Sequence, residues 1–176
     1  MLKNIRLHLE KDEEKQKELE VLLAQSILAT HHKNINSFAR NIPSLSSLIK
    51  QPQLQNYSLF CNKYGEINIV DYGVGLLNLA TSKGYKTYST YPTAPLEIEC
   101  LVVLGCGLGL HILELMRSKK IHSLILYEPE LQYFQCSILV NRWSEIFDLA
   151  KEKGSKIFIQ VEKDGRNLLN DIDELA

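Results

Sequence analysis

The chain has 176 residues, 45% hydrophobic and 23% charged, with 20 lysines and arginines against 21 aspartates and glutamates. That length and balance fit one soluble domain of ordinary size with an arm, and they exclude general disorder, collagen-like repeats and low complexity. A net charge of −1 without a local basic patch argues against a nucleic-acid partner, and apolar runs such as Leu101–Leu104 fall far short of the roughly 18 residues of a membrane span.

The first fifty residues read as entirely helical. Acids, lysines and glutamines crowd Glu10 to Glu20, and Leu19, Leu22, Leu23, Ser26 and Ile27 fall on one stripe at helical spacing. The pairs Asp12/Lys15, Glu13/Lys17 and Glu14/Lys17 lie three or four apart and help solubilise the exposed face. Asn34 or Asn36 is expected to cap a second, short helix through Phe38 and Ala39 that ends at Pro43. Ser44 or Ser46 then begins a turn of helix to Lys50, closed by Pro52.

At Tyr57 the period changes. Tyr57–Cys61 and Ile67–Val70 have the composition of two short strands around Lys63-Tyr64-Gly65-Glu66, a hairpin. Tyr72-Gly73-Val74-Gly75 and Ser82-Lys83-Gly84 read as turns, Tyr85–Tyr88 as a strand, and Tyr91–Pro95 as a proline-rich loop. From Glu99 the pattern sharpens. Leu101-Val102-Val103-Leu104 has no polar alternation, as expected of a strand buried on both faces of a parallel sheet. A glycine loop, a helix over Leu110–Arg117 and the strand Ser123–Tyr127 follow. Pro129 suits a first helical turn, so a helix is expected over Glu130–Val140, with more helix from Trp143 to Lys151 stopping at Gly154. Lys156–Val161 is a third strand, and Asp164-Gly165-Arg166 leads into a last helix. The whole is an α/β chain: a helical N-terminal arm over 1–52, then a unit over 53–176 with a small β-hairpin insertion and a partial Rossmann-like parallel sheet, β-α-β-α-β-α.

The stretch that bears on chemistry is Leu104-Gly105-Cys106-Gly107-Leu108-Gly109, between a buried strand and a helix. Glycines permit a tight turn and close approach of a ligand, and the helix start offers free N–H groups and the positive end of its dipole. Glu128 lies roughly 20 residues on, at the end of the next strand, where Rossmann-like folds place a carboxylate for ribose hydroxyls. Gly105, Gly107, Gly109 and Glu128 are therefore the candidate cofactor-binding residues. The G-x-G-x-G spacing points to S-adenosylmethionine or another nucleoside more than to NAD. A tight turn with no ligand satisfies the same residues, and both readings stand. Val103 occupies a place where methyltransferases often carry an acid, and the strands completing a seven-stranded methyltransferase sheet are missing after Val161, so a complete methyltransferase does not fit.

Other candidates are weaker. His111 lies just inside the helix after the loop, within reach of a phosphate or carboxylate, and a packed or exposed histidine is the plainer reading. Cys106 sits where a thiol pKa can fall, but no partner base is identifiable, so it reads as a small filler residue. Glu128 and Glu130 put two carboxylates near the loop without fixing acid and base roles. Cys61, Cys100, Cys106 and Cys136 show no C-x-x-C pair, and adjacent His31 and His32 point about 100° apart on a helix, so neither a disulfide frame nor a metal site is expected. With no signal peptide after Met1-Leu2-Lys3-Asn4, the expected location is the cytoplasm.

Taken together, Leu101–Gly109 and Leu124-Ile125-Leu126-Tyr127-Glu128-Pro129-Glu130 resemble the N-terminal domain of the motility accessory factor (Maf) family, the flagellin-modifying glycosyltransferases of motile bacteria. Asn36–Leu45 looks like that family's early N-x-x-F-x-x-x-x-P-x-L helix pair, Gly65–Asp71 like its short hairpin, and Trp143–Phe147 suits the segment after its E-P-E strand. The resemblance implies transfer of a nonulosonic acid from a CMP-activated donor to flagellin Ser/Thr by a central domain expected to begin where this chain stops, at Ala176. It carries no catalytic residue onto this chain. It leaves this module's own role open between docking flagellin and supporting the catalytic domain. The preferred reading is a module that supports transfer without performing it and requires no cofactor, with flagellin and the central transferase domain as partners and self-association left open. The alternative is an S-adenosylmethionine-dependent, methyltransferase-like module, or one that takes a nucleotide-sugar.

Overall fold

The computed structural model describes residues 5–7, 13–61, 67–73, 75–77, 96–161 and 164–175. A short strand β1 (Ile5–Leu7) precedes a long helix α1 (Glu13–Asn41), a 3-10 turn (Pro43–Leu45) and one helical turn α2 (Ser46–Ile49). Then come β2 (Tyr57–Cys61), β3 (Ile67–Asp71), β4 (Gly75–Leu77) and β5 (Glu97–Leu104). The chain continues with α3 (Leu110–Ser118), β6 (Lys120–Glu128), α4 (Leu131–Val140), α5 (Trp143–Lys153), β7 (Lys156–Val161) and α6 (Arg166–Leu175). Two sheets result. One runs β1-β2-β3-β4, with β1 parallel to β2 and the rest antiparallel. The other is parallel, in the order β5-β6-β7, the half-Rossmann arrangement expected from the alternating strand and helix pattern.

Four sequence expectations are corrected. The first fifty residues are not all helical, because Ile5–Leu7 adds a strand to the edge of the hairpin sheet. Gly75 opens a strand, β4, rather than only ending a turn. Asn34 and Asn36 start no second helix, since α1 runs unbroken to Asn41. Finally, β5 is not buried on both faces: Val102 and Leu104, which alternate with Leu101 and Val103 along the strand, are 37% and 70% exposed. Within that apolar run, Leu101 and Val103 are the residues that pack against the core. The turn at 63–66, the turn at 82–84, the strand at 85–88, the loop at 91–95 and Asp12 of the first ion pair lie outside the described residues.

The main core lies between the parallel sheet and the helices α1, α3, α4 and α5. Phe38 of α1 is fully buried at its centre, with ring centroids 5.8 Å from Phe134, 5.7 Å from Trp143 and 4.9 Å from Phe147, all edge-to-face. Each such pair contributes about 0.5–1.5 kcal/mol beyond the area it buries. A second cluster packs the hairpin sheet against α1, α4 and the glycine loop: Ile27, Leu54, Leu59, Ile69, Leu108, Cys136 and Leu139. Helix α4 serves both. Phe134 and Ile138 face the main core while Cys136 and Leu139 face the hairpin sheet, so Phe134 through Leu139 are buried without interruption. A helix buried on all sides is one enclosed by the protein.

Candidate functional site

The glycine loop turns from β5 into α3 exactly where parallel α/β sheets present ligands, beyond the carboxyl ends of the strands. Gly105, Gly107 and Gly109 all have positive φ, +74°, +52° and +69°. They differ in surroundings. A Cβ at Gly105 would meet open space, whereas one at Gly109 would lie 2.9 Å from Asn141 Nδ2 and 3.3 Å from both Ser137 Oγ and Ile112 Cδ1. Gly109 is thus required twice, for its backbone conformation and for the close seat of α4 against the loop.

Glu128 ends β6 as expected and is only 2% exposed. Its Oε2 accepts hydrogen bonds from the backbone N–H of Cys106 at 2.8 Å and of Gly107 at 3.2 Å, and its Oε1 accepts from Glu130 N at 3.1 Å. The structure therefore brings the carboxylate and the glycine loop together, with the carboxylate directed onto the loop's own amides. Gly105 N donates to Tyr127 O at 2.7 Å and Gly109 N to Cys106 O at 2.8 Å. The loop carbonyls are held from the other side, Leu108 O by Ser137 Oγ at 2.8 Å and Gly109 O by Asn141 Nδ2 at 2.9 Å. Ser137 in turn accepts from Trp143 Nε1 at 2.9 Å.

Ser137 and Asn141 are braces that sequence spacing missed. The signal available was chemical: Gln135 and Ser137 interrupt an apolar stretch of α4, Asn141 follows its end, and buried polar groups need partners. Gln135 follows the same logic away from the loop, donating to Leu48 O at 2.7 Å and accepting from Gln53 N at 3.0 Å.

The remaining candidates have modest chemical capacity. Burial, reinforced by the Glu128 carboxylate, pushes the Cys106 thiol well above its ordinary value, the opposite of an activated nucleophile. His111 is half-buried, and burial lowers its pKa. Pro129 precedes α4 instead of entering it, and Glu130 is the N-cap, its side chain accepting from Gln132 N at 3.2 Å. None of Cys61, Cys100, Cys106 and Cys136 is in a disulfide. Among the described residues, no group of three His, Cys, Asp or Glu side chains could hold a metal ion, and no helix is long and apolar enough to cross a membrane. A separate open groove of about 470 Å³ lies between α1 and the start of α5, lined by Lys33, Arg40, Arg142, Glu145 and Asp148 among others.

A half-Rossmann sheet with a braced glycine loop, joined through α4 to a small hairpin sheet, defines the class. Within it, the chain belongs to the Maf glycosyltransferase N-terminal domain family, whose model matches residues 75–175. The fold is similar to the solved structure of a Maf glycosyltransferase from Magnetospirillum magneticum AMB-1, with a TM-score of 0.63 over 86% of this chain at 15% identity. This chain covers 29% of that protein's length. No curated protein matches it.

Proposed function

We propose that this chain is the N-terminal, non-catalytic module of a motility-associated flagellin glycosyltransferase. In this reading it supports transfer of a nonulosonic acid from a nucleotide-activated donor to flagellin Ser/Thr, the chemistry residing in a central transferase domain. The observation that carries the reading is a fold matched over 86% of its length to under a third of a Maf glycosyltransferase. The family match over 75–175 supports the same assignment. The inward-facing carboxylate of Glu128 agrees with a supporting role, because the loop best suited to a nucleotide spends the amides of Cys106 and Gly107 on the protein itself.

The test mixes the purified chain with flagellin and a CMP-activated nonulosonic acid, with and without a separately purified central Maf domain. The chain alone is expected to transfer no sugar and to bind the central domain or flagellin at micromolar concentration. Transfer by the chain alone would overturn the non-catalytic assignment. Failure to bind either protein at tens of micromolar in mild salt would overturn the module assignment.

A further inference from the structure

The amides of Cys106 and Gly107 converge on one point, and in a nucleotide-binding loop of this type that point receives an anionic or hydroxylated group of the ligand. Here it holds Glu128 Oε2, while Oε1 is tied to Glu130 N. With 2% exposure, the carboxylate has no open face toward solvent. The carbonyl side is closed as well by Ser137 and Asn141, so the loop cannot slide away from Glu128 without breaking bonds on both sides.

We propose that Glu128 is the resident ligand of the glycine loop, an internal carboxylate filling the anion nest that related loops offer to a nucleotide. The glycines then wrap backbone around a side chain supplied by the neighbouring strand, and the contact locks the end of β6 to the turn between β5 and α3. Nucleosides and nucleotides are excluded because their place is taken. The inference goes beyond the proposed function and does not depend on which partner the module serves.

Removing the carboxylate should leave a vacancy that a small free carboxylate refills. In Glu128→Gly, sodium formate at roughly ten times its Kd is expected to raise the thermal midpoint by about 3–6 °C more than it does in the unaltered chain. Sodium chloride at equal ionic strength should not reproduce the difference. An equal formate response in the two proteins would overturn the proposal. Should Glu128→Gly fail to fold, the unaltered chain supplies the second measurement. Its Cys106 and Gly107 amides should exchange with deuterium slowly, and titration with S-adenosylmethionine, S-adenosylhomocysteine or CMP should leave their NMR shifts unmoved. Rapid exchange at both amides, or saturable shifts there with any of the three, would overturn it. Neither result bears on binding to a transferase domain, so the two readings fail separately.

Discussion

Asn34 and Asn141 lie 107 positions apart in sequence, and Asn34 Nδ2 donates to Asn141 O at 2.7 Å. The same amide nitrogen donates to Ile138 O at 2.7 Å, and Asn34 Oδ1 accepts from Ser144 N at 3.0 Å. One fully buried side chain on α1 therefore caps the end of α4 and the beginning of α5 together. Since Asn141 Nδ2 holds Gly109 O, a continuous set of hydrogen bonds runs from α1 through the helix junction to the glycine loop.

Asn34→Ala should cost about 2–4 kcal/mol, because it leaves two carbonyls and one amide buried without their partner. Asn34→Asp keeps an acceptor for Ser144 N but sets a carboxylate against two carbonyl oxygens, and should be no more stable than the alanine variant. Urea denaturation of the three proteins measures both. A loss under about 0.5 kcal/mol for Asn34→Ala would mean water replaces the amide at no cost.

The glycines of the loop should separate cleanly on substitution. Gly105→Ala suffers only the left-handed backbone penalty, about 1–2 kcal/mol, because its Cβ enters open space. Gly109→Ala adds contacts with Asn141, Ser137 and Ile112, and a total near 2–5 kcal/mol is expected. Equal losses in the two variants would contradict the close seat of α4 at Gly109.

Much of this fold was legible in the sequence because its signals are local. The apolar strands at 101–104, 123–127 and 156–161, the glycine turn between strand and helix, and Gly154 at φ +68° ending α5 each follow from a few adjacent residues. What escaped depends on distant neighbours. Asn34 has the residue type of a cap and is one, but for helices more than 100 positions away, which no local pattern reveals. The run Leu101–Leu104 reads as doubly buried, and whether both faces of a strand are covered is set by the elements that pack on them. Spacing placed Glu128 at the right strand end. It could not show whether the carboxylate faces outward to a ribose or inward to the loop amides, since both directions satisfy the same sequence.

Thiol chemistry provides a third check. Cys61, Cys106 and Cys136 are buried and Cys100 is exposed on β5. Burial raises the first two thiols and pushes Cys136 up to about 12. Ellman's reagent at pH 8 should therefore modify Cys100 alone in the folded chain and all four cysteines in denaturant. Cys100→Ser should abolish the fast phase. A fast phase that survives this substitution would show that one of the buried thiols is reached in the native state.

The last prediction concerns pH. Burial holds the folded-state pKa of His111 below its ordinary 6.5. Above 6.5 both the folded and unfolded chains carry the neutral ring, and His111 imposes no penalty. As pH falls below 6.5 the unfolded chain takes up the proton first, so stability drops until the folded value is passed and then levels off. Glu97, held low by hydrogen bonds from Lys120 and His122, acts below 4.5 and leaves this window clear. Urea denaturation of the unaltered chain and of His111→Gln at pH 7.5 and pH 5.5 isolates the effect. The unaltered chain should lose more stability between the two values than the variant does. Parallel losses would assign the pH dependence to another group.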